Sequence, residues 1–165
     1  MTPDVLRQIP IFHGLTDQQL EAVSAVLVRR SVRGGEAIFS EGERSSALYV
    51  LTSGTVGTSK SMGLATRGAA QPARQKVLVH LGAPQFFGEM GLLSELDRSA
   101  TITTEGDCEL LELRREDFER LAAQDPALGY HLVRNIAVVL ADRLRRTDLD
   151  VLKLTTALSL ALGNR

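Results

Sequence analysis

The sequence predicts an α+β fold in which helices flank a central block of short antiparallel strands. Three observations predict it: a helical pattern up to residue 27, a period of two with glycine-rich turns over residues 32–113, and a return to helix from residue 114. Evenly spaced short strands with such turns are typical of a β-sandwich or barrel. The 165 residues suit one domain, with N-terminal helices at 1–31, β-structure at 32–113 and C-terminal helices at 114–165.

The composition indicates a globular protein. Hydrophobic residues make up 44% of the chain and the net charge is −1, so charge gives no case for direct binding of nucleic acid. We find no apolar run near the roughly 18 residues of a membrane span and no signal-peptide pattern after Met1. The single Cys108 cannot form an internal disulfide, which fits a reducing compartment. We therefore expect a cytoplasmic protein without a membrane segment.

The first segment, Thr2 to Leu27, is predicted to be helical. It contains a capping box, in which Thr16 caps the helix and Gln19 reaches back to it. Apolar residues then recur at helical spacing, at Leu20, Val23, Val26 and Leu27.

Six short strands are predicted in the central block, separated by turns rich in glycine. The turns include Gly42 and Gly54. The strands are Ala37–Phe39, Ala47–Leu51, Thr55–Ser59, Val77–Leu81, Ala100–Thr104 and Glu109–Leu113.

The segment from Lys60 to Gln75 has almost no large apolar side chains and is predicted to be a long, mobile hairpin loop. An alternative is a basic contact with a partner through Arg67, Arg74 and Lys76.

The loop at residues 86–101 carries the chemistry. Gly88 and Gly91 let backbone amides approach a ligand closely, and consecutive amides in a tight turn form a concavity for an anion. Arg98 supplies a fixed fork for a phosphate. Glu89 can only accept hydrogen bonds, so it suits a sugar hydroxyl pair such as a ribose. A phosphate together with a sugar hydroxyl indicates a nucleotide.

This loop resembles the phosphate-binding cassette of the cyclic nucleotide-binding domain family. The segments Phe87-Gly88-Glu89 and Arg98-Ser99-Ala100-Thr101 match the family motif in identity and spacing. Gly91 departs from the family's Ala or Ser, and Asp97 departs from its Pro; an acid beside the Arg would weaken anion binding if its carboxylate points inward. The resemblance implies an antiparallel jelly-roll barrel and a ligand site formed by Phe87, Gly88, Glu89, Met90, Gly91, Arg98, Ser99 and Ala100.

Two helices are predicted after the strands. The first, Arg114 to Ala123, has Glu116 and Asp117 in its first turn, as the helix dipole favours. The second opens at Pro126 and runs without a breaker from 127 to 162. Such a helix would be about 54 Å long, whereas a small domain is only about 30 Å across. Something else must therefore cover its far end.

The long helix carries an apolar seam at heptad spacing, which predicts a homodimer through the C-terminal helix. A second stripe, Leu132, Ile136 and Val139, can face the barrel. The alternatives are a single buried helix, or two helices broken near Thr147-Asp148. The seam consists of Val133, Ala137, Leu140, Leu144, Thr147, Val151, Leu154, Leu158 and Ala161.

The segment from Arg143 to Asp148 resembles the central helix of the catabolite activator type of bacterial regulator. In that type a Thr, followed by a Ser, meets the base of cyclic AMP across the dimer; Thr147 matches the Thr and Asp148 departs from the Ser. Ser99 also matches this type. The resemblance implies a regulatory sensor that favours cyclic AMP over cyclic GMP and moves or orders its C-terminal helix. We expect neither enzyme activity nor a helix-turn-helix after the long helix.

Two other functions stay open. A metal enzyme of cupin type is also a small β-barrel, but it needs several His or carboxylate ligands to converge. The predicted strands do not carry them, and His13, His80 and His131 lie on different elements, so we predict no metal site. A vestigial pocket that serves as an interaction module is supported by Asp97 and Gly91.

Overall fold

Two four-stranded antiparallel sheets form the centre of the computed structural model, which describes residues 3–44, 46–61 and 75–163. The strand orders are β1-β8-β3-β6 and β2-β7-β4-β5. This is a jelly roll, so the predicted fold class is confirmed. Within the described residues no ladder joins the two sheets, so they form a sandwich and not a closed barrel. The strands are β1 Val28–Val32, β2 Ala37–Phe39, β3 Ala47–Ser53, β4 Thr55–Ser61, β5 Gln75–Gly82, β6 Gln85–Phe87, β7 Thr101–Thr104 and β8 Cys108–Arg114.

Helices precede and follow the sheets, and the predicted N-terminal helices are confirmed. Residues 3–26 contain two α-helices and a 3₁₀ turn at Pro10–Phe12. Pro10 lacks an amide donor, and Gly14 has a φ of +80°, so one helix cannot run through both. The capping box between Thr16 and Gln19 is confirmed. The helices are α1 Pro3–Arg7, α2 Asp17–Val26, α3 Met90–Leu93, α4 Arg115–Gln124 and α5 Pro126–Gly163.

Strand β3 of the first sheet is buried on both faces. Along β3, Leu48 and Val50 join an apolar cluster with residues of α1, α2, α4 and α5. The alternating residues Tyr49 and Leu51 join a second cluster with residues of β2, β4 and β7. The molecule therefore has three layers, with the helices on one face of the first sheet and the second sheet on the other.

Two strands were not predicted. The first, β1, begins at Val28 and has four exposed residues out of five, so its sequence shows no alternation of apolar and polar residues. The second, β6, is only three residues long and lies where the sequence suggested a turn. The observed β7 begins one residue later than predicted, and β8 extends one residue further at each end.

The predicted loop at 60–75 falls largely outside the described residues, as do Arg67 and Arg74 in the alternative assigned to it. At its two ends the structure differs from the prediction. Strand β4 continues to Ser61 and β5 begins at Gln75, and Lys60 pairs with Lys76 across the two strands.

The helix α5 is unbroken over 38 residues, so the alternative of a break near Thr147-Asp148 is wrong. Its predicted inner stripe is confirmed, because Leu132, Ile136 and Val139 pack in the helical cluster. Residues 144–163 are exposed throughout, so the alternative of a single buried helix is wrong for this half. None of the described helices has both the length and the apolar character needed to cross a membrane.

Candidate functional site

A cavity of about 180 Å³ lies between the loop at 86–101, strands of the second sheet and α5. Its apolar wall includes Phe39, Leu81 and Ile102, and Thr58 adds a hydroxyl group. The structure thus brings together all the site residues that were predicted within the loop. They are Phe87, Gly88, Glu89, Met90, Gly91, Arg98, Ser99 and Ala100.

Gly88 sets the path of the loop as it leaves β6. Its φ is +75°, a conformation that residues with a side chain rarely adopt. A Cβ atom at this position would lie 2.8 Å from Arg98 Nη1. The loop then turns into α3, and the Gly91 amide donates to the Gly88 carbonyl at 3.0 Å. That amide, which the sequence suggested for an anion, is already paired.

The Arg98 side chain is only 7% exposed. Its Nη1 donates to the Gly88 carbonyl at 3.1 Å and its Nη2 to the Ala47 carbonyl at 2.9 Å. Its Cζ lies 4.0 Å from the centroid of the Phe39 ring. Burial lowers the pKa of Arg98, although Tyr49 partly offsets this, and an arginine stays charged. The guanidinium is therefore a fixed cation at the cavity.

Glu89 is equally buried and connects the loop to α5. Its Oε1 accepts a hydrogen bond from Arg143 Nη1 at 2.9 Å. Arg143 Nη2 also donates to the Phe86 carbonyl at 2.7 Å, so one side chain of α5 holds two neighbouring points of the loop. The Arg143 side chain is 33% exposed.

Arg143 lines the cavity, and the sequence analysis did not assign it to the site. The helical spacing of Arg143 could have indicated that it faces the protein interior. Leu132, Ile136 and Val139 form the inner stripe of α5, and position 143 continues the same stripe by one more turn.

Within the described residues, two buried side-chain polar atoms have no hydrogen-bond partner, and both belong to the cavity. They are the Oε2 atom of Glu89 and the Nε atom of Arg98. An unpartnered buried polar group costs about 1–3 kcal/mol. One is an acceptor and the other a charged donor, so a ligand that offers a hydroxyl group and an anion would satisfy both.

The other predicted site residues differ in position. Thr147 and Asp148 are exposed on α5 and do not line the cavity; the Thr147 hydroxyl donates to the Arg143 carbonyl at 3.1 Å. Asp97 lines the cavity and is exposed. The Ser99 hydroxyl lies 3.7 Å from Met90 Sδ. A single chain therefore assembles the loop site but not the predicted contacts from residues 147–148.

A second cavity, of about 530 Å³, lies between α2, α4 and α5. Its one charged group, Asp125, is already paired, because its oxygens accept from Gln19 Nε2 at 2.8 Å and from the Leu128 amide at 3.0 Å. These hydrogen bonds lower the pKa of Asp125. No unpartnered buried atom lies there among the described residues, and no group of three metal-binding side chains occurs in them. The smaller cavity is thus the better candidate.

Known proteins resemble this chain over most of its length. The family model described as "Cyclic nucleotide-binding domain" matches residues 29–125. The cyclic AMP receptor protein of Thermus thermophilus is 35% identical over 143 residues, which are 86% of this chain and 60% of that protein. This chain therefore spans less than two thirds of that relative.

Solved structures show the same similarity. The crystal structure of Thermus thermophilus catabolite activator protein matches with a TM-score of 0.72 and 35% identity, covering 88% of this chain and 63% of that chain. The regulatory domain of Toxoplasma gondii PKA, crystallised with cAMP, matches with a TM-score of 0.62 and 27% identity, covering 73% of this chain and 42% of that chain.

Proposed function

Because this chain belongs to the cyclic nucleotide-binding domain family, we propose that it is a regulatory sensor that binds a cyclic nucleotide in the cavity at the 86–101 loop. The observation that carries the proposal is the pair of unpartnered buried atoms, Glu89 Oε2 and Arg98 Nε. A cyclic nucleotide offers a ribose hydroxyl to the first and a phosphate to the second. Calorimetric titration with cyclic AMP and cyclic GMP is the direct test.

The arrangement around Arg98 suits a phosphate. Two of its donors are fixed on backbone carbonyls, so the guanidinium loses little freedom when an anion arrives at Nε. The low exposure of the site strengthens the charge-assisted hydrogen bond. Asp97 works against the anion from the cavity rim.

The cavity is smaller than the roughly 300–1,000 Å³ usual for ligand sites. We infer that phosphate and ribose fill it and that the base extends outward on the side of α5, where Arg143 lies. Thr147, one turn further along α5, is exposed and could meet the base from a second copy of the helix. The relative in Thermus is named for cyclic AMP and the Toxoplasma domain was crystallised with it, so we favour cyclic AMP over cyclic GMP.

A second candidate function is a vestigial pocket in a protein-interaction module. Its support is Asp97 at the rim and Gly91 in place of Ala or Ser. The titration separates the two, since a vestigial pocket would show no heat of binding with either nucleotide.

We expect Arg98→Ala to weaken binding of cyclic AMP by about 2–5 kcal/mol, because the phosphate would lose its buried charge partner. At about 1.4 kcal/mol per decade, this is at least tenfold in Kd. The measurement is isothermal titration calorimetry. Arg120→Ala is the control, since Arg120 is exposed on α4 and pairs only with Asp117 among the contacts described. An unchanged Kd in Arg98→Ala would remove Arg98 from the phosphate site.

We expect Glu89 to recognise the ribose 2′-hydroxyl through Oε2. Wild-type protein should therefore bind cyclic AMP more tightly than 2′-deoxy cyclic AMP, and Glu89→Ala should erase most of that difference. Because the ratio of the two Kd values is taken within each variant, a general loss of affinity affects both values and does not change the ratio. If the difference survives the substitution, another residue holds the hydroxyl.

We expect the nucleotide to stabilise the docked position of α5. Glu89 can hold the ligand with Oε2 while Oε1 keeps Arg143, so a bound nucleotide favours the helix position in which this pair forms. Cyclic AMP should raise hydrogen-exchange protection at residues 140–154, and Arg143→Ala should reduce this gain. Arg145→Ala, on the exposed side of the same turn, is the control. Protection confined to residues 86–101 would mean that the domain binds without switching.

We expect α5 to form a homodimer through its heptad seam. Leu144 on the seam is 62% exposed in the single chain, and Leu144→Asp would place an unpaired charge in an apolar interface. This variant should sediment as a monomer while the wild type sediments as a dimer. Leu149→Asp is a matched control, because Leu149 is 56% exposed but lies about 140° further around the helix. A monomeric wild type, with and without nucleotide, would contradict the dimer.

A further inference from the structure

We propose that Arg115 is a positioning residue for the nucleotide site: it holds the C-terminal end of α3 and so keeps the 86–101 loop in its binding geometry without touching the ligand. The inference rests on the proposed function, since it concerns the same site. Arg115 is the first residue of α4 and is not among the residues that line the cavity.

The Arg115 side chain donates to carbonyls at the C-terminal end of α3. Its Nε and Nη2 donate to the Gly91 carbonyl at 3.1 and 2.6 Å, and Nη2 also donates to the Ser94 carbonyl. The carbonyls at the end of a helix have no partner within it, and a cation there complements the helix dipole. The Arg115 side chain is 18% exposed, so these hydrogen bonds are largely shielded from water.

The backbone of Arg115 is fixed at the same end of the first sheet as the side chain of Arg98. The Arg115 amide donates to the Ser46 carbonyl at 2.8 Å, and the next carbonyl, of Ala47, accepts from Arg98. Arg98 also holds the Gly88 carbonyl. Arg98 and Arg115, which both bond to carbonyls of residues 46–47, therefore hold the two ends of the segment from Gly88 to Ser94. Of these two arginines, Arg98 borders the cavity and Arg115 does not.

A helix as short as α3 depends on such contacts. It has four residues, whereas isolated helices shorter than about 12 residues are marginal in water. Glu89, which must present Oε2 to the ligand, immediately precedes this helix. Lysine would keep the charge at 115, but its single ammonium group lacks the planar fork that reaches two carbonyls at once. Loss of the fork should therefore loosen α3 and disturb Glu89.

The experiment compares Arg115→Lys and Arg115→Gln with the control Arg114→Lys. Arg114 is adjacent in sequence, 55% exposed and paired with Glu112. We expect both Arg115 variants to bind cyclic AMP about tenfold more weakly by calorimetry, equivalent to about 1.4 kcal/mol, and Arg114→Lys to bind as the wild type does. Glu95→Gln should also bind normally, since Glu95 lies 4.0 Å from Arg115 and its side chain is 96% exposed.

Two further readouts separate positioning from general stability and from direct contact. In nucleotide-free protein, amides of residues 90–94 should exchange faster in Arg115→Lys, while those of β3 and β8 keep wild-type rates. The dependence of log Kd on log salt should stay as in wild type, because Arg115 does not meet the phosphate. Thermal unfolding identifies any variant that fails to fold; the other Arg115 variant then carries the test.

The outcomes distinguish this inference from the proposed function. If the wild type binds neither cyclic AMP nor cyclic GMP, the proposed function fails, and the exchange rates of residues 90–94 still decide whether Arg115 holds α3. If the wild type binds and the folded Arg115 variants bind equally tightly, the positioning role is overturned. A smaller salt dependence in Arg115→Gln would also overturn it, in favour of a direct contact with the anion.

Discussion

The buried guanidinium of Arg98 is the constraint on which the rest of the site depends. Removing a cation from water is costly unless its donors are paired. The fold pairs two groups of the guanidinium with the carbonyls of Gly88 and Ala47 and covers it with the face of the Phe39 ring, while Nε has no partner among the described residues. Because these acceptors lie after β6 and at the start of β3, the contacts that keep Arg98 buried also fix the point where the loop leaves the sheet. Glycine at position 88 fits this arrangement, since its φ is positive and a Cβ atom there would lie 2.8 Å from Arg98 Nη1.

Glu89 extends this arrangement to the helical layer. Its carboxylate is 6% exposed and needs a cation, which α5 supplies through Arg143. Such a pair adds little net stability, because the cost of desolvation offsets much of the attraction. The two oxygens of this carboxylate differ, because Oε1 accepts from the helix and Oε2 is buried without a partner. Under the proposed function, a ligand that binds Oε2 would act on a group that already holds the helix.

The sequence predicted the parts of the site that are local and missed those that come from distant elements. Residues 87–91 and 98–100 belong to one loop, so Gly88, Glu89, Gly91 and Arg98 could be predicted from their chemistry and the others from the resemblance of the loop. Arg143 meets Glu89 across 54 positions and Arg115 meets Gly91 across 24, and no local pattern joins such pairs. The same limit explains β1, whose exposed residues gain their strand geometry only by pairing with β8. Thr147 was placed by resemblance alone, and in the single chain it lies away from the cavity.

The position of Arg143 along α5 gives the long helix its functional meaning. Before it, Leu128, Leu132 and Ile136 are buried in the cluster that the helices form with the first sheet; after it, every described residue is exposed. The helix thus changes from partly buried to fully exposed at Arg143, which lines the cavity. The 20 residues after Arg143 to the end of α5 (163 − 143) extend about 30 Å without a break in the helix. Under the proposed function, a small displacement at the pair of Glu89 and Arg143 would be carried along the helix to the exposed seam, where the proposed second copy would respond to it.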